Sequence, residues 1–338
     1  MNWLEDFRPQ LERVFAQAEQ RVRSFPAPLH ELGLRYLAAF DIRTQGSVKN
    51  YICYLLPFWI EKMLSAQLKT SNSDALLDTA RQTALGNVMG MLHFFIQDDL
   101  MDGMQQHEHH SVQERRALIP LSQLFHSEFV QAMSAATSAQ HHERLWAYYY
   151  SVSAEWASAV YDEAESDYFL HARQRIAGKA SPIKLSVIIL LLEANLLAQL
   201  PTVLEQLERV LLVLQMNDDA TDWQDDLASG SYNCLLSLIR AECSLPQSQT
   251  NDRAGASDDH LTAAQVQQAI YDHRILHRYA AIAADSYIAA DTAAHSPYLS
   301  QFHAYLVRQL TRMSEQVDQH RQLLLEQGSL WYYARFPN

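Results

Sequence analysis

The amino-acid sequence predicts an all-α protein that folds as one large helical bundle. Apolar residues recur at helical spacing along most of the 338 residues. The chain has only 9 glycines and 10 prolines, which indicates long helices and few tight turns, because average usage would give roughly two to three times as many glycines. Hydrophobic residues make up 48% of the chain, enough for a large core. The length alone would allow one or two domains, and we expect a single domain over 1–338.

Helix-breaking and capping residues divide the chain into predicted helices. Pro57 is expected to kink the third helix, Ser73 is a good N-cap for the fourth, and Ser111 with Glu114 forms a capping box for the fifth. The polar segment 244–260 is predicted to be a flexible loop within the domain. The predicted helices are 2–23, a short one ending near Phe40, 47–69, 73–102, 112–136, 139–176, 183–199, 202–228, 233–243, 262–293 and 298–327.

Charge and cysteine content limit the classes of function. The 26 basic and 39 acidic residues give a net charge of −13, which opposes binding to nucleic acid and stable association with an anionic membrane. Three cysteines without a CxxC pair argue against a disulfide framework, so a reducing, cytoplasmic location is expected. The first residues show no signal peptide. The apolar run 185–200 is interrupted by Glu193 and Asn195, which predicts a buried helix instead of a membrane span.

Three aspartates end the predicted helix 73–102. Asp98 and Asp102 are four residues apart, so their side chains lie on one helix face, with Asp99 about 100° away. Gly103 terminates the helix, and the helix dipole disfavours carboxylates at a C-terminus. A divalent cation would offset this repulsion, and Mg²⁺ is commonly held by carboxylates together with phosphate oxygens. These aspartates are therefore candidate metal ligands.

A second acidic cluster lies 120 residues further along the chain, again close to a glycine. Asp218, Asp222 and Asp226 are spaced i, i+4 and i+8, which predicts a shared helix face. Either cluster alone is compatible with a solvated acidic surface. Two clusters, each preceded by an apolar helix, favour a site that holds metal ions and a diphosphate. The candidate ligands here are Asn217, Asp218, Asp219, Asp222, Asp225 and Asp226.

A cationic segment precedes the second cluster. Arg173, Arg175 and Lys179 fall close together where Gly178 and Pro182 break a predicted helix, and such a break frees backbone donors. In an acidic protein this segment supplies the positive charge that an anionic diphosphate needs. The alternative is a basic helix end that balances the helix dipole.

These motifs resemble those of the isoprenoid synthase superfamily. The run Asp98-Asp99-Leu100-Met101-Asp102 is similar to the first aspartate-rich motif of class I terpene synthases and trans-prenyltransferases. The run from Gln215 to Asp222 resembles the second aspartate-rich motif of the prenyltransferase branch. Another register, Asn217, Asp218, Thr221 and Asp225, resembles the Asn/Ser/Glu triad of terpene cyclases with Asp in place of Glu. Which register binds metal stays open, and the resemblance covers about residues 50–240.

The resemblance implies the terpene synthase α-domain fold, a helical bundle with a central active-site cavity. Mg²⁺ ions, three in the family and replaceable by Mn²⁺, would hold the diphosphate of a prenyl substrate. Lys179 and Arg175 would bind that diphosphate beside the break at Gly178, and Arg335 would reach it if the aromatic tail 329–338 closes over the pocket. A homodimer is compatible with the family. The candidate cavity aromatics, each with core packing as the alternative, are Phe94, Phe95, Trp156 and Trp223.

The two reaction classes of the superfamily differ in a second cationic site. Chain-elongating enzymes carry an Arg-Arg pair a few residues after the first motif and a basic patch near the N-terminus. Here 104–107 contains no arginine, Arg115 and Arg116 come too late, and 46–49 offers one lysine. We therefore predict a terpene synthase, with geranylgeranyl diphosphate favoured over farnesyl diphosphate and a preformed cyclic diphosphate also considered. The alternatives are a trans-prenyltransferase that elongates with isopentenyl diphosphate and, from another class, an inactive helical scaffold or regulatory subunit.

Overall fold

The fold class is all-α, as predicted. The computed structural model describes residues 2–44, 50–68, 73–102, 112–161, 167–242 and 261–326, and no strand occurs among them. The predicted loop 244–260 and tail 329–338, which includes Arg335, lie outside these ranges. The described helices are α1 (Arg8–Arg23), α2 (Leu29–Phe40), α3 (Tyr51–Leu68), α4 (Ser73–Asp102), α5 (Val112–Ala135), α6 (His142–Tyr161), α7 (Tyr168–His171), α8 (Lys184–Glu193), α9 (Leu200–Ser229), α10 (Cys234–Glu242), α11 (Ala263–Tyr271), α12 (Ile275–Asp285) and α13 (Pro297–Glu326).

The two helices that carry the acidic clusters are confirmed. α4 runs from Ser73 to Asp102, the bounds that the sequence predicts. α9 ends at Ser229, and the next residue, Gly230, has a φ of 75° that glycine adopts without strain. Among the described residues, no helix combines the length and the apolar character needed to cross a membrane.

The prediction of one helix over 139–176 is wrong. The described chain restarts after α6 as the short helix α7, whose N-cap, Asp167, accepts a hydrogen bond from the Leu170 N–H. A 3-10 segment then runs from Arg173 to Ile183. A polar residue that caps a new helix competes with continuation of the old one, which the apolar spacing alone does not reveal.

Two other predicted helices are also interrupted. The predicted helix 183–199 ends at Glu193, and Asn195 follows with a left-handed φ of 55°. The predicted helix 262–293 is divided between α11 and α12, because Arg274 adopts a φ of 53° between them. A left-handed residue cannot continue a right-handed helix, so the chain changes direction at each of these positions.

The chain divides into two compact units, of which the first comprises Met1–Glu155, Ala180–Glu205 and Ala290–Leu299. α4 packs against α3, α5 and α8 in this unit. Gly90 lets α5 approach closely, because a Cβ at this position would lie 2.9 Å from Phe129 Cδ2. α4 and α5 therefore pack closely against each other at Gly90.

A buried amide also connects α4 to its neighbours. Asn87 is 2% exposed, and its Nδ2 donates to the Cys53 carbonyl at 2.8 Å and to Ser186 Oγ at 3.2 Å. These bonds join α4 to α3 and α8. A buried amide paired in this way specifies one alignment of the helices, because a shift would leave the amide without partners.

The second unit comprises Trp156–Lys179, Gln206–Ala289 and Ser300–Asn338. α10 contacts α7, α11 and α12. Gln206 Nε2 donates to Ser300 Oγ at 3.0 Å, which joins α9 to α13. The second acidic cluster and the cationic segment through Lys179 both belong to this unit.

Candidate functional site

The first acidic cluster lies in the last turn of α4. Asp98, Asp99 and Asp102 all have helical backbones, so Asp98 and Asp102 lie on one helix face. Their side chains are outside the part of the chain whose side chains the structure describes. Their assignment as metal ligands stays a prediction.

Aromatic residues just before this cluster contact neighbouring groups. The Phe95 ring stacks on Phe40 of α2, with centroids 4.9 Å apart and planes 13° apart. Phe94 lies edge-on to His93 at a centroid distance of 4.9 Å. Burial lowers the pKa of His93 to about 4, and its Nδ1 lies 2.7 Å from Ser122 Oγ. His93 is therefore neutral at pH 7.

The second acidic cluster occupies two sides of α9. Asp218, Asp222 and Asp225 are exposed, whereas Asp219 is only 3% exposed and Asp226 is half-buried. At about 100° per residue, the three exposed acids fall within about 60° of one another, and the other two lie on the adjacent side. We call Asp218, Asp222 and Asp225 the outer face, and Asp219 and Asp226 the inner face.

The inner face is bonded to the start of α10. Asp219 Oδ2 accepts the Cys234 N–H at 2.6 Å, and its Oδ1 accepts Gln215 Nε2 at 2.7 Å. Asp226 Oδ2 accepts Asn233 Nδ2 at 2.7 Å. The same Nδ2 donates to the Asp219 carbonyl oxygen at 2.7 Å. The inner acids therefore hold α10 against α9, although they belong to the predicted ligand set.

Crowding raises the pKa values of the acids on α9. Although Asp218 reaches solvent, burial among surrounding protein atoms raises its pKa to about 6, and repulsion from neighbouring carboxylates adds to the effect. Burial and nearby carboxylates also raise the pKa values of Asp222 and Asp226. Lys179 acts in the opposite direction on Asp218 and Asp226. An added cation would stabilise carboxylates that are crowded in this way, and carboxylate oxygens are hard ligands that suit Mg²⁺.

The alternative ligand register uses Asn217 and Thr221. Asn217 Nδ2 donates to the Val213 carbonyl at 2.8 Å, and Thr221 Oγ1 donates to the Asn217 carbonyl at 2.9 Å. These bonds use donor hydrogens, whereas a metal uses oxygen lone pairs, so neither register is excluded. Among the described side chains, no three His, Cys, Asp or Glu residues form a group that could hold an ion. A metal on the outer face would need further ligands.

The cationic segment contacts two aromatic rings. The Arg175 guanidinium lies 4.3 Å from the centroid of the Tyr168 ring. The Lys179 ammonium lies 5.8 Å from the centroid of the Tyr232 ring. Gly178, which lies between Arg175 and Lys179 in the sequence, is buried. Both distances are within the range of cation–π attraction, which orients the cations.

Three residues that position the site were not predicted as site residues: Asp167, Tyr232 and Asn233. Asn233 Oδ1 caps α10 by accepting the N–H groups of Leu235 and Leu236 at 2.9 and 3.0 Å. An Asn shortly after a glycine stop and before an apolar run is an N-cap signal that could have located it. Asp167 Oδ1 accepts the Tyr232 hydroxyl at 3.1 Å across 65 residues of sequence, and no local pattern indicates such a contact.

The remaining cavity candidates are partly described. Trp156 in α6 and Trp223 in α9 are half-buried, and Arg335 lies outside the described residues. Their role as cavity or diphosphate contacts stays a prediction.

Comparisons with known proteins assign no family. No family model matches the chain, and no curated protein sequence matches it. Among solved structures, a heptaprenyl diphosphate synthase from Staphylococcus aureus resembles the chain with a TM-score of 0.49 and 12% sequence identity, covering 100% of this chain and 93% of that chain. A likeness at this level carries no conclusion about activity, so the function must be inferred from the residues of the chain itself.

Proposed function

We propose that the protein is a class I terpene synthase that ionises a prenyl diphosphate with the help of Mg²⁺. The observation that carries the proposal is the outer face of α9, where Asp218 and Asp222 have raised pKa values and Lys179 lies within electrostatic reach. In the proposal, Asp98, Asp99 and Asp102 of α4 supply the other acidic ligands. Mn²⁺ is expected to substitute for Mg²⁺.

Lys179 and Arg175 bind the diphosphate in this mechanism. Bound Mg²⁺ would offset the charge that builds on the leaving diphosphate. The ammonium of Lys179 and the guanidinium of Arg175 donate hydrogen bonds to its oxygens. These bonds strengthen as the C–O bond breaks, because negative charge on the oxygens increases. Donors that are already oriented need little rearrangement during the reaction, so the barrier to ionisation falls.

The allylic cation that remains needs an apolar surrounding without water. Phe94, Phe95, Trp156 and Trp223 are the proposed wall residues, and each π face stabilises a cation by about 0.5–2 kcal/mol. His93 is neutral at pH 7 because burial lowers its pKa to about 4, so it adds no charge that would repel a carbocation. Cyclisation, followed by loss of a proton or capture of water, completes the reaction. Water must be excluded until that step, so the active site has to close when the substrate binds.

The cations of the chain favour a terpene synthase over a chain-elongating enzyme. Elongation requires a second cationic site for isopentenyl diphosphate. Arg43 precedes the 46–49 segment, and its Nη2 lies 2.6 Å from Asp41 Oδ2 and 2.9 Å from Glu19 Oε2. Two carboxylates therefore already neutralise this arginine. Lys49, within 46–49, is outside the described residues.

The test is incubation with allylic diphosphates. Purified protein with Mg²⁺ and geranyl, farnesyl, geranylgeranyl or geranylfarnesyl diphosphate is extracted and analysed by gas chromatography with mass detection. A terpene hydrocarbon or alcohol is expected, most abundantly from geranylgeranyl diphosphate, and chelation of the metal should abolish it. Asp218→Asn should lower kcat by about 100-fold or more, with an unchanged circular dichroism spectrum. Asp285→Asn, at an exposed position on α12, is the matched control and should retain activity.

A parallel reaction separates the alternatives. Isopentenyl diphosphate is added with each allylic diphosphate, and the products are treated with phosphatase before analysis. Longer prenyl alcohols would show that the protein is a trans-prenyltransferase. Absence of product from every substrate, together with absence of Mg²⁺-dependent pyrophosphate binding, would refute the proposal and favour an inactive scaffold.

A further inference from the structure

Two tyrosine rings in the second unit contact each other. Each ring also lies against one of the two cations of the candidate diphosphate site. The rings of Tyr168 and Tyr232 have centroids 5.9 Å apart and planes inclined at 52°. Arg175 lies over the first ring at 4.3 Å, and Lys179 lies over the second at 5.8 Å. We call Tyr168 and Tyr232 the aromatic platform.

The Tyr232 ring is held in place from its hydroxyl end. The hydroxyl accepts the Phe169 N–H at 2.8 Å and donates to Asp167 Oδ1 at 3.1 Å. The other oxygen of Asp167 accepts the Ser237 hydroxyl at 2.5 Å. Burial raises the pKa of Tyr232 far above its usual value, so the phenol stays protonated and neutral. The ring therefore offers a fixed, uncharged π face.

Lys179 is the cation that depends most on such a face. Its four-carbon side chain has many rotamers, and a single ammonium cannot form the two-point contacts available to a guanidinium. A ring that restricts the rotamers of Lys179 would reduce the entropy lost when the ammonium binds an anion.

We propose that Tyr232 is a positioning residue, whose ring face holds the Lys179 ammonium where it binds the diphosphate. The inference deepens the proposed function and rests on it. Tyr232 acts through Lys179 and does not itself contact the substrate. A role limited to tying α7 to α10 would instead depend on the hydroxyl and its bonds to Asp167 and Phe169.

Two substitutions at Tyr232 separate these roles. Tyr232→Phe keeps the π face and removes the hydroxyl, whereas Tyr232→Leu removes the π face as well. The probe is inorganic pyrophosphate in the presence of Mg²⁺, titrated into the full-length protein by calorimetry. Tyr232→Leu should weaken binding by about 3- to 30-fold, while Tyr232→Phe should bind within about 2-fold of wild type even if its melting temperature falls.

A double-mutant cycle with Lys179→Met completes the test. If Tyr232 acts through Lys179, Tyr232→Leu should weaken pyrophosphate binding much less in the Lys179→Met background than in wild type. An equal loss in both backgrounds, or a Tyr232→Phe loss as large as that of Tyr232→Leu, would overturn the positioning role while leaving the proposed function standing. A wild-type protein that fails to bind pyrophosphate with Mg²⁺ would overturn both.

Discussion

Replacement of Asp218 by asparagine should stabilise the metal-free protein. The pKa of Asp218 is about 6, above its ordinary value of 3.8, so near neutral pH the folded protein holds a carboxylate that its surroundings disfavour. This difference corresponds to a destabilisation of about 3 kcal/mol at most. Because Asp218 is exposed, solvent screening reduces the expected value to about 1 kcal/mol. With an unfolding entropy of about 2.1 cal/mol/K per residue, 338 residues convert this into about 1–2 °C.

The stabilisation should depend on pH. The folded protein binds a proton at Asp218 at a higher pH than the unfolded chain does, so the destabilisation is complete above about pH 6 and is relieved as the pH falls through 6 towards 3.8. Asp218→Asn is therefore expected to raise Tm by about 1–2 °C near pH 7.5 and by about half as much near pH 5. Calorimetric melting in the presence of a chelator, with Asp285→Asn as the control, measures both values.

Added Mg²⁺ should reverse the order of stability. At ten times its Kd, a ligand that binds only the folded state stabilises it by about 1.4 kcal/mol, and this gain should be seen in wild type but lost in Asp218→Asn. The account of carboxylate crowding would be refuted if metal-free Asp218→Asn melted at or below the wild-type temperature near pH 7.5. The same Tm gain at both pH values would refute it as well.

Three further predictions concern stability. Burial lowers the pKa of His303 to about 4, so as the pH falls the unfolded chain binds a proton at this histidine before the folded protein does. The free energy of unfolding should therefore fall between about pH 6.5 and 4, by about 2 kcal/mol at pH 5. Urea unfolding should show a smaller loss for His303→Asn, and an equal loss would contradict the assignment. Lys184 is 2% exposed, and its Nζ lies 2.6 Å from Glu155 Oε1. Because Glu155→Ala leaves this buried ammonium without its carboxylate, it should lower the free energy of unfolding by about 1–2 kcal/mol, more than Lys184→Met does. If urea unfolding gave the reverse order, the ammonium would not be desolvated as proposed. Asn233→Ala should lower the free energy of unfolding by about 2–3 kcal/mol, because it removes a helix cap, a buried donor bond to the Asp219 carbonyl and a part-buried donor bond to Asp226. A loss below about 0.5 kcal/mol would show that α10 does not depend on this cap.

Helix positions could be predicted wherever local signals agree. The helix 73–102 combines a polar start, sustained apolar content and a glycine stop, and α4 has these bounds. The prediction of one helix over 139–176 was wrong because Asp167 caps a new helix. The hydrogen bonds of the Asp167 carboxylate to Tyr232 and Ser237 span more than 60 residues of sequence. Apolar spacing describes one segment at a time and does not register such contacts.

The candidate site shows the same division between local and distant information. The helical class, the two acidic runs and the cationic segment could be predicted from the order of residues alone, because residue spacing sets which side chains share a helix face. That Asp218 faces solvent, while its neighbour Asp219 is buried and accepts the Cys234 N–H, follows from the packing of distant segments and could not be predicted from spacing. A helix of 3.6 residues per turn points adjacent side chains about 100° apart. What each side chain meets depends on where the rest of the chain packs.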